Sequence, residues 1–272
     1  MTDPAIPGPR PRRRPRFRSV DVVAVRRLAP RLVSVTLGGD SLADFRIESP
    51  TQHIKMLFPA PGENTVVVPE FGPDGPVWPE GQPRPFMRTY TPRRTNPATG
   101  TLEVELVLHG AGPASEWAER AACGDRLALA GPGGRLALQI DDGPWVIAGD
   151  ESAIPAIGQL LEALPPGADP VVYIEVEDEG DEMDLDGPVA AKITWLHRAG
   201  AAAPGALLLD AVATATFSAG TKVWVACEAK AVRGIRRSLL EAGRIEAGSL
   251  VTRGYWRAGE EDHPDHDYGE DA

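Results

Sequence analysis

The sequence predicts a β + α/β fold, in which an N-terminal antiparallel six-stranded β-barrel precedes an α/β domain built on a parallel sheet. Two observations support this prediction. Up to about residue 140, apolar residues form six short strand patterns with long connections, which is typical of a small barrel. Beyond that point, wholly apolar strands alternate with helical segments, which indicates a parallel sheet covered by helices on its faces.

The barrel strands are marked by β-branched and alternating apolar residues, bounded by Gly and Pro. A proline-rich stretch, 59–85, separates the third strand from the fourth and holds at most a short β piece at 66–68. Loops of this length often border a site. One helix, 113–121, is expected before the last strand. The predicted strands cover 20–25, 32–37, 53–58, 86–91, 102–108 and 126–130.

The α/β part begins with the apolar strand 145–149, whose composition indicates burial on both faces. The next segment is a helix, because Ile154, Ile157, Leu161 and Leu164 are spaced to form one apolar stripe. The remaining elements alternate in the same way. Strands are predicted at 171–176, 193–196 and 223–226, and helices at 206–217 and 229–242.

Both ends of the chain are expected to lie outside the two domains. Residues 1–17, dominated by Pro and Arg, are predicted to be a disordered basic arm, and 259–272 an acidic tail. The barrel domain then covers 18–140 and the α/β domain 141–258. The acidic run 175–186 is interpreted as a solvated loop. The pattern gives no function to the arm, the run or the tail.

Charge and composition argue against several classes of function. The chain has 28 Lys and Arg against 39 Asp and Glu, a net charge of −11, which argues against a nucleic-acid or anionic-membrane surface. Two cysteines, no long apolar run and no signal-peptide pattern predict a soluble cytoplasmic protein. No Ser-His-Asp arrangement, paired carboxylates or metal-ligand spacing is present, which argues against a hydrolase or a metal site.

The segment 84–93 carries an aromatic ring, hydroxyl groups and guanidinium groups on one predicted strand. Since side chains alternate across a strand, Arg88 and Tyr90 share one face, and Thr89 and Thr91 share the other. A planar anionic ligand needs a surface to stack on and a positive charge for its phosphates, and this segment supplies both. We therefore interpret it as the centre of a binding site.

A second motif runs from a predicted strand into a predicted helix. Gly110 and Gly112 allow the backbone to approach a ligand closely, and Pro113 suits the first helical turn, whose free N–H groups then face a phosphate. An ordinary Gly/Pro loop is the alternative. Together with Arg88, the motif would hold both ends of a dinucleotide. Its residues are Val107, Leu108, His109, Gly110, Gly112, Pro113, Ala114 and Ser115.

Two further motifs lie in the α/β half. Asp150 and Ser152 follow the first strand at its carboxyl end, where open α/β sheets bind ligands, and helix capping is the alternative. Arg233, Arg236 and Arg237 are spaced to share one face of a helix. They would suit a phosphate-bearing cofactor such as NADPH, and a solvated helix face is the alternative.

A candidate second anionic site consists of His53, Lys55 and Arg257. Lys55 is a polar residue on a strand otherwise dominated by apolar ones. The alternative to a binding role is an ordinary surface lysine on the outer face of an edge strand.

Five motifs, in this order, resemble those of siderophore-interacting proteins, a family of flavin-dependent ferric-siderophore reductases within the ferredoxin-reductase superfamily. The resemblance extends from residue 20 to about residue 262, and one departure is Ser152, where many relatives have Thr. The motifs are RTYT at 88–91, HGAGPASEWA at 109–118, GDESAIPAI at 149–157, CEAKAVRGIRRSLL at 227–240 and RGYWRAGEED at 253–262.

The resemblance implies FAD in the barrel and NADPH or NADH in the α/β domain. It would place Arg88 on the FAD phosphates, Tyr90 against the isoalloxazine and Thr91 near flavin N5. Residues 109–115 would wrap the ribityl chain and pyrophosphate, and 150–153 would flank the ring. The cofactor-binding set also includes Thr89, Val107, Leu108, Glu151, Ser152, Ala153, Glu228 and Trp256, with Tyr255 beside Trp256 and with Arg233, Arg236 and Arg237 on the adenine-side phosphate.

The function implied is NAD(P)H-dependent reduction of Fe(III) in a siderophore, which releases Fe(II) in the cytoplasm. Lys55, with Arg257, would face the siderophore. No protein acid, base or nucleophile is required, because the flavin carries the electrons. The expected protein is a monomer without a metal site of its own. Two alternatives are an electron-transfer reductase for a protein partner and a non-catalytic siderophore-binding protein. The siderophore itself is not identified by the sequence.

Overall fold

The computed structural model of the chain describes residues 16–72, 75–110, 112–185, 187, 190–261, 263–264 and 267–269. Its N-terminal half is built from β-strands and one helix, α1 (Pro113–Arg120). The strands are β1 (Phe17–Ala29), β2 (Leu32–Gly38), β3 (His53–Phe58), β4 (Glu70–Gly72), β5 (Gly75–Val77), β6 (Phe86–Tyr90), β7 (Pro92–Asn96), β8 (Thr101–Val107) and β9 (Arg126–Gly133).

All of these strands except the hairpin β4–β5 join one antiparallel sheet, in the order β6-β3-β9-β1-β2-β8-β7. The two edge strands, β6 and β7, are consecutive in the chain and separated only by Thr91. The sheet must therefore curl until its edges approach, which gives a barrel. The interior is filled by alternate side chains such as Val35, Leu37, Ile54 and Met56.

The barrel has seven strands in its sheet where six were predicted. The additional strand, β7, is polar (PRRTN) and lacks the apolar alternation from which a strand is recognised. The predicted β piece at 66–68 is wrong, because the strands of that loop are β4 and β5. β1 begins at Phe17, so the last residue of the predicted arm belongs to the sheet. Residues 1–15 of that arm lie outside the described part.

The second half confirms the predicted parallel sheet with helices. Its helices are α2 (Ile154–Ala163), α3 (Ala206–Thr214) and α4 (Ala229–Glu241), and no helix in the described part is long and apolar enough to cross a bilayer. The sheet, in the order β12-β11-β10-β13-β14, is parallel throughout. Its strands are β10 (Pro144–Asp150), β11 (Asp169–Val176), β12 (Lys192–His197), β13 (Lys222–Glu228) and β14 (Leu250–Trp256).

Strand β14 was not predicted, because Arg253 and Gly254 interrupt its apolar run. Strands β10, β11 and β13 are largely buried as their composition indicates, whereas β12, at the edge of the sheet, is exposed or half-buried. The largest fully buried side chains of this half are Trp145 and Trp224. Since β10 lies between β11 and β13, the strand order reverses at β10. Ligands bind at the carboxyl edge of such a reversal in open α/β sheets.

Helix α2 holds the barrel against the α/β sheet. Arg93, at a bulge of β7, is buried, and its Nη1 and Nη2 donate to the two carboxylate oxygens of Glu162 at 3.1 and 2.8 Å. Gln159 donates from its side-chain amide to the carbonyl of Pro92 and accepts from the backbone N–H of Thr51 at 2.8 Å. The contact fixes the edge strand that follows Thr91.

Candidate functional site

The segment Arg88 to Thr91 lies at the edge of the barrel, as β6 and the junction to β7. Tyr90 packs edge-on against Phe58, with ring centroids 6.1 Å apart, and burial raises the pKa of its phenol. The Arg88 guanidinium donates to the Met87 carbonyl at 2.9 Å and lies 4.0 Å from the Glu261 carboxylate. The ring and the cation therefore lie on the same short strand, as predicted.

Lys55 lies beside this segment on the neighbouring strand. β3 pairs with β6 so that Lys55 faces Thr89, and Lys55 Nζ donates to Thr89 Oγ1 at 2.8 Å. The structure thus joins a predicted substrate residue to a predicted cofactor residue. Arg257, the other predicted substrate residue, forms an exposed ion pair with Glu260 at 3.2 Å.

The glycine-rich turn between β8 and α1 forms an open cradle. Gly110 and Gly112 have positive φ angles of 72° and 84°. A Cβ at Gly110 would meet no atom within 4 Å, and one at Gly112 would meet only the His109 ring, at 3.9 Å. The backbone N–H of His109 donates to the buried Ser115 hydroxyl at 3.0 Å, which holds the turn in place.

Helix α1 begins at this turn with Pro113 in its first position, and no described side chain caps it. Its first N–H groups and the positive end of its dipole therefore remain available to an anion. Because α1 packs against β3, β6 and β8, this end belongs to the same part of the barrel as Arg88. An open glycine turn, an uncapped helix start and a nearby arginine suit the pyrophosphate of a dinucleotide. Ala111 of the turn lies outside the described residues.

Asp150 ends β10 and is fully buried. One carboxylate oxygen accepts from the backbone N–H and the hydroxyl of Ser152, at 3.0 and 2.5 Å. The other accepts from the Glu228 N–H at 3.0 Å and from the Trp256 indole N–H at 2.7 Å. Burial, with the nearby Glu151 carboxylate, raises the pKa of Asp150 to about 7. Asp150 therefore caps the helical turn that follows it, which is the alternative predicted from the sequence. It also makes the longer-range contacts to Glu228 and Trp256.

Tyr255 joins the two halves of the molecule at Thr91. Burial raises the pKa of its phenol to about 12, and the neighbouring Thr91 side chain acts in the opposite direction. The ring packs edge-on against Trp224, with centroids 6.4 Å apart. The junction of the barrel edges therefore meets the last strand of the parallel sheet, next to Trp256 and Asp150. The sequence reading named these residues separately and gave no sign that they touch.

The remaining predicted cofactor residues of the α/β half have partners within the chain. Glu228 is buried and caps α4, accepting from the Ala231 N–H at 3.0 Å and from the Ala258 N–H at 3.3 Å. On α4, Arg233 pairs with Asp267 at 2.6 Å. Arg236 is half-buried and Arg237 is exposed. Ala153, in the turn after Asp150, is buried.

A buried arginine that the sequence did not single out pairs with the first two acids of the acidic run and with Glu151. Arg198 is 8% exposed and binds Glu151 at 2.6 and 2.9 Å, Glu175 at 3.2 Å and Glu177 at 3.3 Å. The start of the run is therefore an ion-pair network and only partly the solvated loop that was predicted. No group of three or more His, Cys, Asp or Glu residues in the described part could hold a metal ion.

Asp178 and Asp181, also in the acidic run, pair with Arg31 of the barrel at 3.0 and 2.6 Å. These ion pairs are a second link between the barrel and the α/β domain. Like the pairs of Arg198, they join residues far apart in the chain, so local sequence gave no signal for them.

Comparison with known proteins supports the same assignment over most of the chain. Residues 21–136 match the siderophore-interacting FAD-binding domain, and residues 144–259 match the siderophore-interacting protein family. A ferric vibriobactin reductase of Vibrio cholerae is 33% identical, covering 92% of this chain and 93% of its own. An NADPH-dependent ferric-chelate reductase of Escherichia coli is 31% identical, over 89% and 94%. The crystal structure of a siderophore utilization protein from T. fusca is 38% identical and superimposes with a TM-score of 0.84, over 93% and 97%.

Proposed function

The chain belongs to the family of siderophore-interacting proteins, and we propose on this basis that it reduces Fe(III) in a ferric siderophore, using FAD and a nicotinamide dinucleotide. The observation that carries the proposal is the contact between Thr91 and Tyr255. It brings the predicted flavin segment of the barrel to the end of the parallel sheet at which dinucleotides bind. Named relatives that reduce ferric vibriobactin or ferric chelates support the reaction type.

The barrel residues suit FAD in three respects. Arg88 offers a cation to the pyrophosphate, and the uncapped start of α1 offers N–H groups to it. At Gly110 and Gly112 no side chain keeps the backbone of the turn away from the phosphates. Tyr90, held by Phe58, offers one side of its ring to a flat aromatic ligand.

The α/β residues would position the nicotinamide donor and shield the flavin. Asp150 holds the Trp256 indole in place through a 2.7 Å hydrogen bond. Trp256 therefore has a fixed position, next in the chain to Tyr255, which lies beside Thr91, the residue expected near flavin N5. Bound FAD would accept a hydride from the nicotinamide and deliver single electrons to iron. What the protein supplies is orientation, exclusion of water and charge for the phosphates.

The iron chelate is proposed to bind near Lys55. This lysine lies beside Thr89, one strand from the flavin segment, so an anionic chelate attracted to it would be close to the flavin edge. Fe(III) prefers hard oxygen ligands, and reduction to Fe(II) weakens that preference, so reduction favours release of the metal. We place this release in the cytoplasm and propose that the protein acts as a monomer.

The decisive experiment is an anaerobic absorbance titration of the purified protein with FAD. NADPH or NADH is then added, followed by a ferric siderophore and a chelator that traps Fe(II). The expected result is a bound flavin spectrum that bleaches with a nicotinamide and returns as Fe(II) accumulates. A protein that binds no flavin but retains a ferric siderophore would be a binding protein, and the proposal would be wrong. If the flavin is reduced but the chelate does not reoxidise it, the proposed substrate is wrong, while the proposed cofactors are retained.

A further inference from the structure

Residues 267–269 of the acidic tail pack along the last strand of the sheet. The Asp267 carbonyl accepts from the Gly254 N–H at 2.8 Å, and the Tyr268 carbonyl accepts from the Thr252 hydroxyl at 2.5 Å. The Tyr268 ring also lies over the Arg253 guanidinium, 4.2 Å from its carbon. These contacts define a docked position for what we call the tail segment, 267–269.

The tail segment also touches the first turns of α4. A Cβ added to Gly269 would lie 2.6 Å from a Val232 methyl group and 3.6 Å from the Arg233 nitrogen, so the tail backbone runs directly against this helix. Gly269 has a φ of 71°, a conformation that glycine adopts without strain. The tail therefore covers the first turns of α4, at Val232 and Arg233.

Asp267 binds the first of those arginines. Its Oδ2 lies 2.6 Å from Arg233 Nη2 and 3.1 Å from His263 Nε2, and its Oδ1 accepts from the Gly269 N–H at 2.8 Å. The Asp267 side chain is only 9% exposed, and that of Arg233 is 30% exposed. Such a partly buried pair is screened by salt much less than a surface pair. A phosphate that binds Arg233 Nη2 must displace this carboxylate.

We propose that Asp267 competes with the adenine-side phosphate of NADPH for Arg233, and that the tail segment thereby sets the preference of the enzyme between NADPH and NADH. The inference rests on the proposed function, in which Arg233 faces that phosphate. NADH lacks the 2′-phosphate and gains nothing from a free Arg233, whereas NADPH binds fully only when Asp267 leaves. Asp267 therefore lowers the affinity for NADPH selectively.

The test is calorimetric binding of two fragments, adenosine 2′,5′-bisphosphate and adenosine 5′-phosphate, which requires neither flavin nor turnover. In Asp267→Asn, affinity for the bisphosphate is expected to rise about tenfold, the effect of freeing one charged hydrogen-bonding group, while affinity for the monophosphate stays constant. Arg233→Gln should remove the preference for the bisphosphate. With the full cofactors, the ratio of kcat/KM for NADPH to that for NADH should rise about tenfold in Asp267→Asn.

Two further variants make the result specific. Asp44→Asn removes the same charge from an ion pair with Arg16 and Arg18 in the barrel and should leave both fragment affinities unchanged. Thr252→Val removes the hydroxyl that holds the tail, without touching Asp267 or Arg233, and should shift the preference in the same direction as Asp267→Asn.

The inference is overturned if folded Asp267→Asn binds the bisphosphate no more tightly than the unaltered protein. It is also overturned if Arg233→Gln keeps the preference, because the phosphate then binds elsewhere. Failure of the proposed function gives a different pattern, in which fragments bind as expected but no nicotinamide reduces the bound flavin.

Discussion

Asp150 is fully buried and accepts hydrogen bonds from three parts of the chain, two of which are distant from it in sequence. Its partners are the turn after β10, the end of β13 and the end of β14. It therefore fixes the indole of Trp256 relative to the carboxyl edge of the sheet. A buried carboxylate is costly unless such donors surround it. Its position indicates that it orients the aromatic wall of the site.

The raised pKa of Asp150 gives a prediction for stability. A carboxyl whose pKa is about 7 in the folded state, and near 4 in the unfolded state, holds its proton more tightly when folded. Its contribution to the free energy of unfolding is therefore present at low pH and is lost as pH rises from about 4 to about 7. Asp150→Asn does not titrate, so the stability of the unaltered protein minus that of the variant should fall over this window.

Urea unfolding of both proteins at several pH values measures this difference. Glu105, whose pKa burial also raises to about 7, is present in both proteins and cancels in the subtraction. The outcome that contradicts the prediction is a difference that stays constant between about pH 4.5 and about pH 7.5. It would show that Asp150 is ionised throughout this range.

Arg88 gives a prediction for FAD affinity. If its guanidinium binds the pyrophosphate, Arg88→Gln removes a charge-assisted hydrogen bond and should weaken FAD binding by about 10- to 100-fold. Arg84→Gln is the matched control, since Arg84 lies in the same segment but stacks on Trp78 at 5.7 Å. Quenching of flavin fluorescence measures both dissociation constants. Equal losses in the two variants would mean that general charge, and not Arg88, holds the phosphates.

At the scale of elements, helix α2 shows how a small residue admits a buried ion pair. Gly158 leaves space for the Arg93 guanidinium, whose nitrogen would lie 2.7 Å from a Cβ placed there. Arg93 in turn binds Glu162 with two hydrogen bonds one turn further along the same helix. The glycine therefore serves the contact between α2 and β7.

This arrangement predicts opposite effects for two glycine substitutions in helices. Gly158→Ala should destabilise the protein by about 1–3 kcal/mol, because the added methyl group overpacks against Arg93. Gly234→Ala in α4 should be neutral or stabilising by up to about 1 kcal/mol, because its Cβ would meet only Leu209, at 3.6 Å, and alanine favours a helix. Denaturant unfolding compares them. Equal effects would show that Arg93 moves aside at no cost.

At the scale of the whole molecule, charged contacts join the barrel and the α/β domain at two places. One is Arg93 with Glu162, and the other is Arg31 with Asp178 and Asp181. Tyr255 of the α/β domain lies beside Thr91 and adds a third contact at the site itself. The domains are thus held in one relative position, as a reaction between two bound cofactors requires.

We therefore expect the two domains to unfold together. Differential scanning calorimetry should show one transition, and saturating FAD should move it upwards without splitting it. The gain in stability is about 2.7 kcal/mol when free FAD is 100-fold above its dissociation constant. Two separate transitions, of which FAD moves only the first, would show that the domains are energetically independent.

The sequence by itself determined the fold class, most strand and helix positions and the residues of each motif. These features depend on neighbours in the chain, because the period of apolar residues and the position of Gly and Pro act locally. The polar strand β7 and the interrupted strand β14 escaped prediction since their pairing, and not their own composition, makes them strands.

Only the tertiary structure decided which motif residues meet. Asp150 and Trp256 are 106 residues apart in the chain. Arg233 on helix α4 and Asp267 in the tail are 34 residues apart. Nothing local distinguishes Asp267 from the other acids of the tail. Such pairs form because sheet closure and strand order bring distant backbones together, after which charge and burial select the partners. The sequence therefore contains the separate motifs of the site, and the fold brings them together.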